Sequence, residues 1–93
     1  MYHLQVLTPE EIIFDGEIHS LIAPSSEGYL GILTNHAPLI AMLKPGTLVI
    51  TDQNQKKNFF KVSKGFLEVN HNEAFILVKS IQAATPIEIG TVV

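Results

Sequence analysis

The sequence predicts an all-β domain, built as an antiparallel β-sandwich or flattened barrel of about ten short strands. No helical period of apolar residues is sustained anywhere in the chain. The apolar runs are short, rich in Ile, Val, Leu and Phe, and broken by turn residues about every 8–12 positions. Because so many short strands do not form one flat sheet, we expect them to pack in two layers.

The predicted strands follow one another with breaks whose residues favour turns. Thr8-Pro9 starts the first turn, and Asp15-Gly16 favours a tight turn because glycine accepts a positive φ. Lys44-Pro45-Gly46 predicts a Pro–Gly β-turn between two strands. The polar segments Asp52–Lys57 and Asn70–Glu73 predict hairpin tips, and loops this short join largely antiparallel neighbours. The predicted strands are Tyr2–Leu7, Glu11–Phe14, Glu17–Ala23, Tyr29–Leu33, Leu39–Leu43, Thr47–Thr51, Asn58–Val62, Phe66–Val69, Phe75–Lys79 and Gln82–Ala84.

The composition predicts one domain over residues 1–93 and excludes several classes of function. Cysteine is absent, which removes disulfides, Cys-ligated zinc and thiol catalysis together. The net charge of −3, with six lysines and no arginine, argues against a nucleic-acid partner. The longest apolar run, Ala37–Leu43, is far shorter than the roughly 20 residues of a membrane-spanning helix. Any membrane association is therefore expected to pass through another protein.

Three predicted strand segments are apolar on both faces: Leu39–Leu43, Leu48–Ile50 and Ala74–Val78. A strand with one face in water would alternate apolar and polar residues instead. One face of each strand fills the core, so the other face needs a cover. A partner protein would provide that cover, since large exposed apolar patches mark interaction surfaces. The alternative is that neighbouring strands or the domain's own loops cover both faces.

The four histidines have no metal-ligand spacing. His3 and His71 are interpreted as solvated surface residues. His19 shares a strand face with Glu17, which indicates a surface pair or, in an alternative hypothesis, a carboxylate-supported metal ligand. A metal-dependent β-sandwich enzyme would use His19 together with His36.

His36 precedes Ala37-Pro38 at a corner between a loop and a strand. The proline restricts Ala37 to extended backbone, and Asn35 favours a turn, so the segment has a defined shape. His36 either hydrogen-bonds the loop's own carbonyl groups or contacts a partner. Catalysis is disfavoured because no acid or nucleophile lies nearby in the sequence.

Gly28-x-x-Gly31 resembles a phosphate loop only superficially, because no Lys-Ser/Thr follows and no helix begins there. The carboxylates are dispersed and no serine lies in a G-x-S-x-G setting. The residues therefore indicate a binding module without a cofactor. A free-standing protein- or carbohydrate-binding β-sandwich is the alternative function, although the chain has no Trp and only two Tyr for an aromatic platform.

Residues Glu27–Leu39 read E-G-Y-L-G-I-L-T-N-H-A-P-L. This run resembles the epsilon subunit of F-type ATP synthases, which carries E-G-x-x-G-I-x-P-x-H-A-P-L there. Gly65–Val69 is similar to the family's G-x-[LV]-E-V strand, and the resemblance covers essentially the whole chain. The chain departs at Thr34, where proline is usual, which should loosen the loop before His36. It also departs at Lys64, where a second glycine is common.

The resemblance implies a non-catalytic, central-stalk subunit that binds the gamma subunit and the c-ring and couples ion flow to ATP synthesis. It implies a peripheral location at the cytoplasmic face of the inner membrane, with membrane contact only through the c-ring. The family usually continues into an α-helical hairpin that inhibits hydrolysis and in some members binds ATP. Since no helical pattern follows Thr85, we expect that hairpin to be absent, either naturally or by truncation. The residues implied for the c-ring edge are Glu27, Gly28, Tyr29, Leu30, Gly31, Ile32 and Leu33, and those for the gamma side are His36, Ala37, Pro38, Leu39 and Met42.

Overall fold

The computed structural model describes residues 1–85, which form strands, turns and bends without a helix in that range. This confirms the predicted all-β class, with nine strands instead of ten. The expected absence of a helical hairpin concerns residues 86–93 and beyond, outside the described residues. The strands are β1 Tyr2–Leu7, β2 Ile12–Ser25, β3 Gly28–Ile32, β4 Leu39–Leu43, β5 Gly46–Asp52, β6 Lys57–Val62, β7 Gly65–Asn70, β8 Glu73–Val78 and β9 Ile81–Ala84.

The predicted turn at Asp15-Gly16 is wrong, and its two flanking strands are one strand, β2, of 14 residues. Asp15 pairs with Gln5, and Gly16 pairs with Leu4 of β1. Because β1 lies alongside, the backbone groups of Asp15 and Gly16 have partners in the β1–β2 ladder. Tertiary pairing therefore overrides the local preference for a turn. The register of β2 shifts elsewhere: against β1 between Phe14 and Ile12, and against β5 between Ile18 and Ser20.

β2 organises the fold because it pairs with four other strands, β1, β3, β4 and β5. The order β1-β8-β7-β4-β2 closes on itself through the β1–β2 pair, which gives the predicted flattened barrel. From β2 the sheet continues through β5 and β6 to β9, while β3 lies at an edge beside β2. β1 and β8 pair in parallel, whereas the other pairs within residues 1–85 are antiparallel.

The predicted hairpin between β4 and β5 does not form. Pro45 lies in a bend, and both strands run antiparallel to the same neighbour, β2. The Lys44 N–H donates to the Pro24 carbonyl of β2 at 2.9 Å. The backbone therefore continues along β2 instead of folding back. The hairpin tips predicted at Asp52–Lys57 and Asn70–Glu73 are confirmed by the β5–β6 and β7–β8 pairs.

The three doubly apolar strands are covered to different extents. In β5, Leu48, Val49 and Ile50 are all buried within the domain, so the intramolecular alternative is correct there. In the apolar segment Ala74–Val78 of β8, the inward side chains are buried and the outward ones are half-buried, so the cover is partial. In β4, by contrast, Ile40 is 74% exposed and Met42 is 63% exposed. Of these three strands, only β4 therefore has an apolar face that residues 1–85 leave uncovered.

The β7–β8 pair requires close backbone approach at Gly65. A Cβ at this position would lie 2.1 Å from the Leu77 carbonyl oxygen and 2.9 Å from Val78 Cα. These are backbone atoms, which cannot rotate away as a flexible side chain would. Glycine at this position lets β8 pair closely with one edge of β7, while β4 pairs with the other edge. The ring of strands can therefore close.

Residues 1–85 contain no helix of the length and apolarity required to cross a membrane.

Candidate functional site

The turn between β2 and β3 is fixed by the side chain of Ser25. Its hydroxyl donates to the Gly28 carbonyl and accepts from the Glu27 N–H at 3.3 Å. Gly28 has a φ of 122°, which disfavours a residue with a Cβ. The Ser26 N–H donates to the Met42 carbonyl at 2.9 Å, so this turn is also joined to β4. Glu27 is exposed at the tip of the turn.

β3 divides the predicted c-ring segment between its two faces. Tyr29 is 53% exposed and Leu33 is 65% exposed, whereas Ile32 is 1% exposed. Leu30 is partly buried against the core. The buried hydroxyl of Tyr2 donates to the Ile32 carbonyl at 2.6 Å, which ties the end of β3 to β1. Burial raises the pKa of the Tyr2 phenol, so the phenol stays protonated and able to donate. Of these residues, Tyr29 and Leu33 have the side chains most exposed to a partner, whereas the side chain of Ile32 is buried.

β4 presents an outward face that the sequence predicts only in part. Ile40 and Met42 point outward, whereas Leu39 is half-buried against the core and Leu43 is 3% exposed. Met42 was predicted as a contact residue and Ile40 was not. The signal was available, because residues two apart on a strand lie on the same face.

A groove of about 530 Å³ brings the two predicted segments together. One wall comes from the β2–β3 turn and the start of β3, and the other from β4. Glu27 is the one charged residue in its lining, and the apolar members dominate the β4 wall. The lining consists of Ser25, Ser26, Glu27, Gly28, Tyr29, Leu30, Leu39, Ile40, Ala41 and Met42.

A second depression of about 380 Å³ adjoins this groove, since both are lined by Leu39 and Ile40. It adds Pro38 from before β4, and Glu68 and Asn70 from β7. Ile40 pairs with Glu68 across the two strands. The two depressions therefore form one surface with an apolar centre and carboxylates at its margins.

The segment between β3 and β4 contains a turn that places His36. The His36 N–H donates to the Leu33 carbonyl at 3.2 Å, and Asn35 has a φ of 62°. His36 Nδ1 lies 2.7 Å from the Ala37 carbonyl oxygen. A carbonyl only accepts, so Nδ1 carries the hydrogen and Nε2 is an acceptor in the neutral ring. The expected bond to the loop's own carbonyl is present, and it leaves Nε2 for a partner.

The predicted surface pair of Glu17 and His19 does not form. Glu17 lies opposite His3 in the β1–β2 register, and its carboxylate is 3.5 Å from His3 Nδ1. Asp15 is closer, at 2.5 Å from His3 Nε2. This contact depends on which strands pair, so no local pattern in the sequence predicts it. Across residues 1–85 no group of three or more His, Cys, Asp or Glu side chains is arranged to hold a metal ion.

Comparison with known families identifies the domain. Residues 1–84 match the family model described as the ATP synthase, Delta/Epsilon chain, beta-sandwich domain. The match spans nearly the whole chain and includes β1 to β9, so both walls of the groove lie inside it.

Curated relatives are named ATP synthase epsilon chain. The protein of Protochlamydia amoebophila is 36% identical over 89 residues, covering 96% of this chain and 60% of its own length. That of Leptospira borgpetersenii is 47% identical over 75 residues, covering 81% of this chain and 58% of its own. The chain therefore spans less than two thirds of these relatives. The Chlorobaculum tepidum protein is 36% identical, with 86% of this chain and 91% of its own length covered.

Two solved structures share the fold. A chain in the cryo-EM structure of the Euglena gracilis mitochondrial ATP synthase, OSCP/F1/c-ring in rotational state 1, superposes with a TM-score of 0.82 and 26% identity. The superposition covers 86% of this chain and 51% of that one. A chain in the Tetrahymena thermophila mitochondrial ATP synthase central stalk and c-ring structure gives a TM-score of 0.72 at 24% identity, covering 85% and 63%.

Proposed function

Because this chain belongs to the family of the ATP synthase Delta/Epsilon chain β-sandwich domain, we propose that it is an epsilon-type rotor subunit of a proton-translocating F-type ATP synthase. In this role it binds the gamma subunit and the c-ring in the central stalk and couples ion flow to ATP synthesis. It contributes binding surface and no catalytic residue. It is part of the membrane-associated complex, on the cytoplasmic face, and reaches the membrane only through the c-ring.

The outward face of β4 is the observation that carries this proposal. Ile40 and Met42 are large, apolar and mostly exposed on a strand whose other face fills the core. Burial of such side chains is the main favourable term in protein association. A subunit that must stay attached to a turning shaft needs a continuous interface, and this groove supplies an apolar centre with polar margins.

The contacts are proposed by position along the chain. The c-ring edge comprises the segment from Glu27 to Leu33, and within it the exposed side chains of Glu27, Tyr29 and Leu33 make the contacts. Gly28, Leu30, Gly31 and Ile32 shape and support that edge. The gamma side comprises His36, Ala37, Pro38, Leu39 and Met42, and we add Ile40 because it is exposed on the same strand face as Met42.

Torque transmission explains the use of a closed ring of strands. A load applied at β3 passes through its pairing with β2, and β2 pairs with β4 and β5. Because β1 pairs with both β2 and β8, the ring of β1, β8, β7, β4 and β2 cannot open without breaking ladder hydrogen bonds. The domain is therefore pre-organised, so little ordering cost opposes binding.

A pull-down with the cognate gamma subunit tests the proposal. We expect the chain to be retained by immobilised gamma, and His36→Asp to weaken retention because it removes Nε2 and adds a charge beside the apolar face. His71→Asp is the control, since His71 is an exposed hairpin-tip residue outside the proposed interface. Failure of the unsubstituted chain to bind gamma would refute the assignment. Equal retention of the His36→Asp and unsubstituted chains would remove His36 from the interface.

A further inference from the structure

The turn Leu33–His36 joins the two proposed docking segments but has weak local support. Its own hydrogen bond, from the His36 N–H to the Leu33 carbonyl, is 3.2 Å long, near the upper limit for such bonds. Asn35 has a positive φ at the third position, the pattern of a type II turn. Thr34 occupies the second position, where proline would preset the backbone and threonine does not.

A distant side chain supplies the missing support. The Asn35 N–H donates to Asn72 Oδ1 at 2.7 Å, across 37 residues of sequence. This bond is shorter than the turn's own hydrogen bond. The Asn72 amide nitrogen also donates to the Met1 carbonyl at 3.4 Å. Asn72 is thus the residue through which the turn is joined to the β7–β8 hairpin and to the start of the chain.

Asn72 is itself held in a rigid position. It and His71 form a two-residue hairpin loop with φ values of 58° and 52°, the pattern of a type I′ turn. The flanking residues Asn70 and Glu73 pair with each other across the hairpin. Asparagine tolerates this left-handed conformation better than most residues, so its side chain is presented without a compensating distortion.

We propose that Asn72 is a positioning residue that fixes the Leu33–His36 turn and thereby sets the geometry between the c-ring edge and the gamma side. The consequence for docking rests on the proposed function, but the hydrogen bond itself can be tested without a partner. A neutral hydrogen bond of ordinary net strength changes an equilibrium constant by roughly two- to twelvefold. We expect local opening of the turn to change by that factor when the bond is lost.

Four variants of the full chain separate the bond from other effects. Asn72→Gly removes the side chain but accepts the positive φ. His71→Gly is the matched control, because it changes the adjacent positive-φ residue of the same loop and leaves Asn72 in place. Asn72→Asp keeps an acceptor for the Asn35 N–H and loses the donor to Met1. Thr34→Pro combined with Asn72→Gly restores rigidity within the turn itself.

Opening of the turn is measured by amide hydrogen exchange of His36, followed by NMR, because the His36 N–H forms the turn's own hydrogen bond. We expect His36 exchange to be roughly two- to twelvefold faster in Asn72→Gly and unchanged in His71→Gly. In Asn72→Asp it should be no faster, because the carboxylate accepts a charge-assisted hydrogen bond from the Asn35 N–H. The affinity for the cognate gamma subunit should fall in Asn72→Gly by a similar factor and recover when Thr34→Pro is added. That recovery identifies positioning, since the added proline stiffens the backbone of the turn without restoring the lost hydrogen bond.

The outcomes distinguish the two proposals. Unchanged His36 exchange in Asn72→Gly overturns the inference, whatever the affinity for gamma. Faster exchange with unchanged gamma affinity also overturns it, because the turn then opens without consequence for docking. If the unsubstituted chain does not bind gamma at all, the proposed function fails, and the exchange comparison alone decides whether Asn72 holds the turn.

Discussion

Replacement of Ile40 by alanine should weaken gamma binding without unfolding the domain. The substitution removes three carbon atoms, each worth about 0.8 kcal/mol when fully transferred from water to an apolar environment. Ile40 is 74% exposed in the isolated chain, so a partner that covers it completely gains roughly three quarters of that total. The expected loss is about 1.8 kcal/mol, or roughly 20-fold in Kd.

The same exposure predicts a small effect on the free energy of unfolding. Only about a quarter of the side chain is buried in the isolated domain, so its removal costs about 0.6 kcal/mol, plus some loss of strand preference. Ile12→Ala is the matched control, because Ile12 is also an exposed isoleucine on a strand, at 56%, and lies outside the groove. Leu39→Asp is a poor probe, because Leu39 packs against the core.

Titration calorimetry with the cognate gamma subunit, combined with urea unfolding of each variant, measures both quantities. A Kd of Ile40→Ala within twofold of the unsubstituted chain would show that gamma does not cover β4. An equal loss of affinity in Ile12→Ala would show that the measurement reports general destabilisation instead of an interface.

Two further predictions concern the scaffold. Gly65→Ala should lower the free energy of unfolding, measured in urea, by about 3 kcal/mol or more, because the added Cβ meets backbone atoms of β8. Gly31→Ala is the control, since a Cβ at that position has nothing within 4 Å. Equal losses in the two variants would contradict the close approach of backbone at Gly65. Asp52 accepts hydrogen bonds from the backbone N–H groups of Lys56 and Asn54 and from the Asn58 side chain, and these contacts hold the pKa of its carboxyl below the ordinary value. A lowered folded-state pKa stabilises the fold above the unfolded-state pKa, and this contribution disappears as pH falls through the folded-state value. The difference in unfolding free energy between the unsubstituted chain and Asp52→Asn should therefore shrink below about pH 4, and a difference independent of pH would exclude the charge as its source.

The strands could be predicted where local pattern and tertiary pairing agree. β1 and β4 have the predicted bounds, because β1 alternates apolar and polar residues, β4 is an apolar run, and each is ended by residues that favour turns or leave the ladder. The break at Asp15-Gly16 failed because β1 pairs straight through it, and no local preference contains that information. The supposed turn at Lys44-Pro45-Gly46 failed similarly, since β2 holds the backbone on both sides of the bend.

The candidate site was predictable as a segment and not as a surface. The run from Glu27 to Leu39 predicts a binding segment, but the choice of outward residues depends on strand register. Met42 and Ile40 share a face by the two-residue period, so Ile40 could have been inferred. The contact between Asn35 and Asn72 could not, because it joins residues 37 apart whose approach depends on the β7–β8 hairpin.

The structure also argues that the two proposed docking segments behave as one rigid body. The Ser26 N–H to Met42 carbonyl bond joins the β2–β3 turn to β4 at one end of the groove. The Asn35 to Asn72 bond fixes the connecting turn at the other end. Because both ends are fixed, displacement of one segment relative to the other requires a backbone hydrogen bond or the asparagine contact to break. A load taken up at the c-ring edge would then reach the gamma side through the sandwich itself, without a hinge between them.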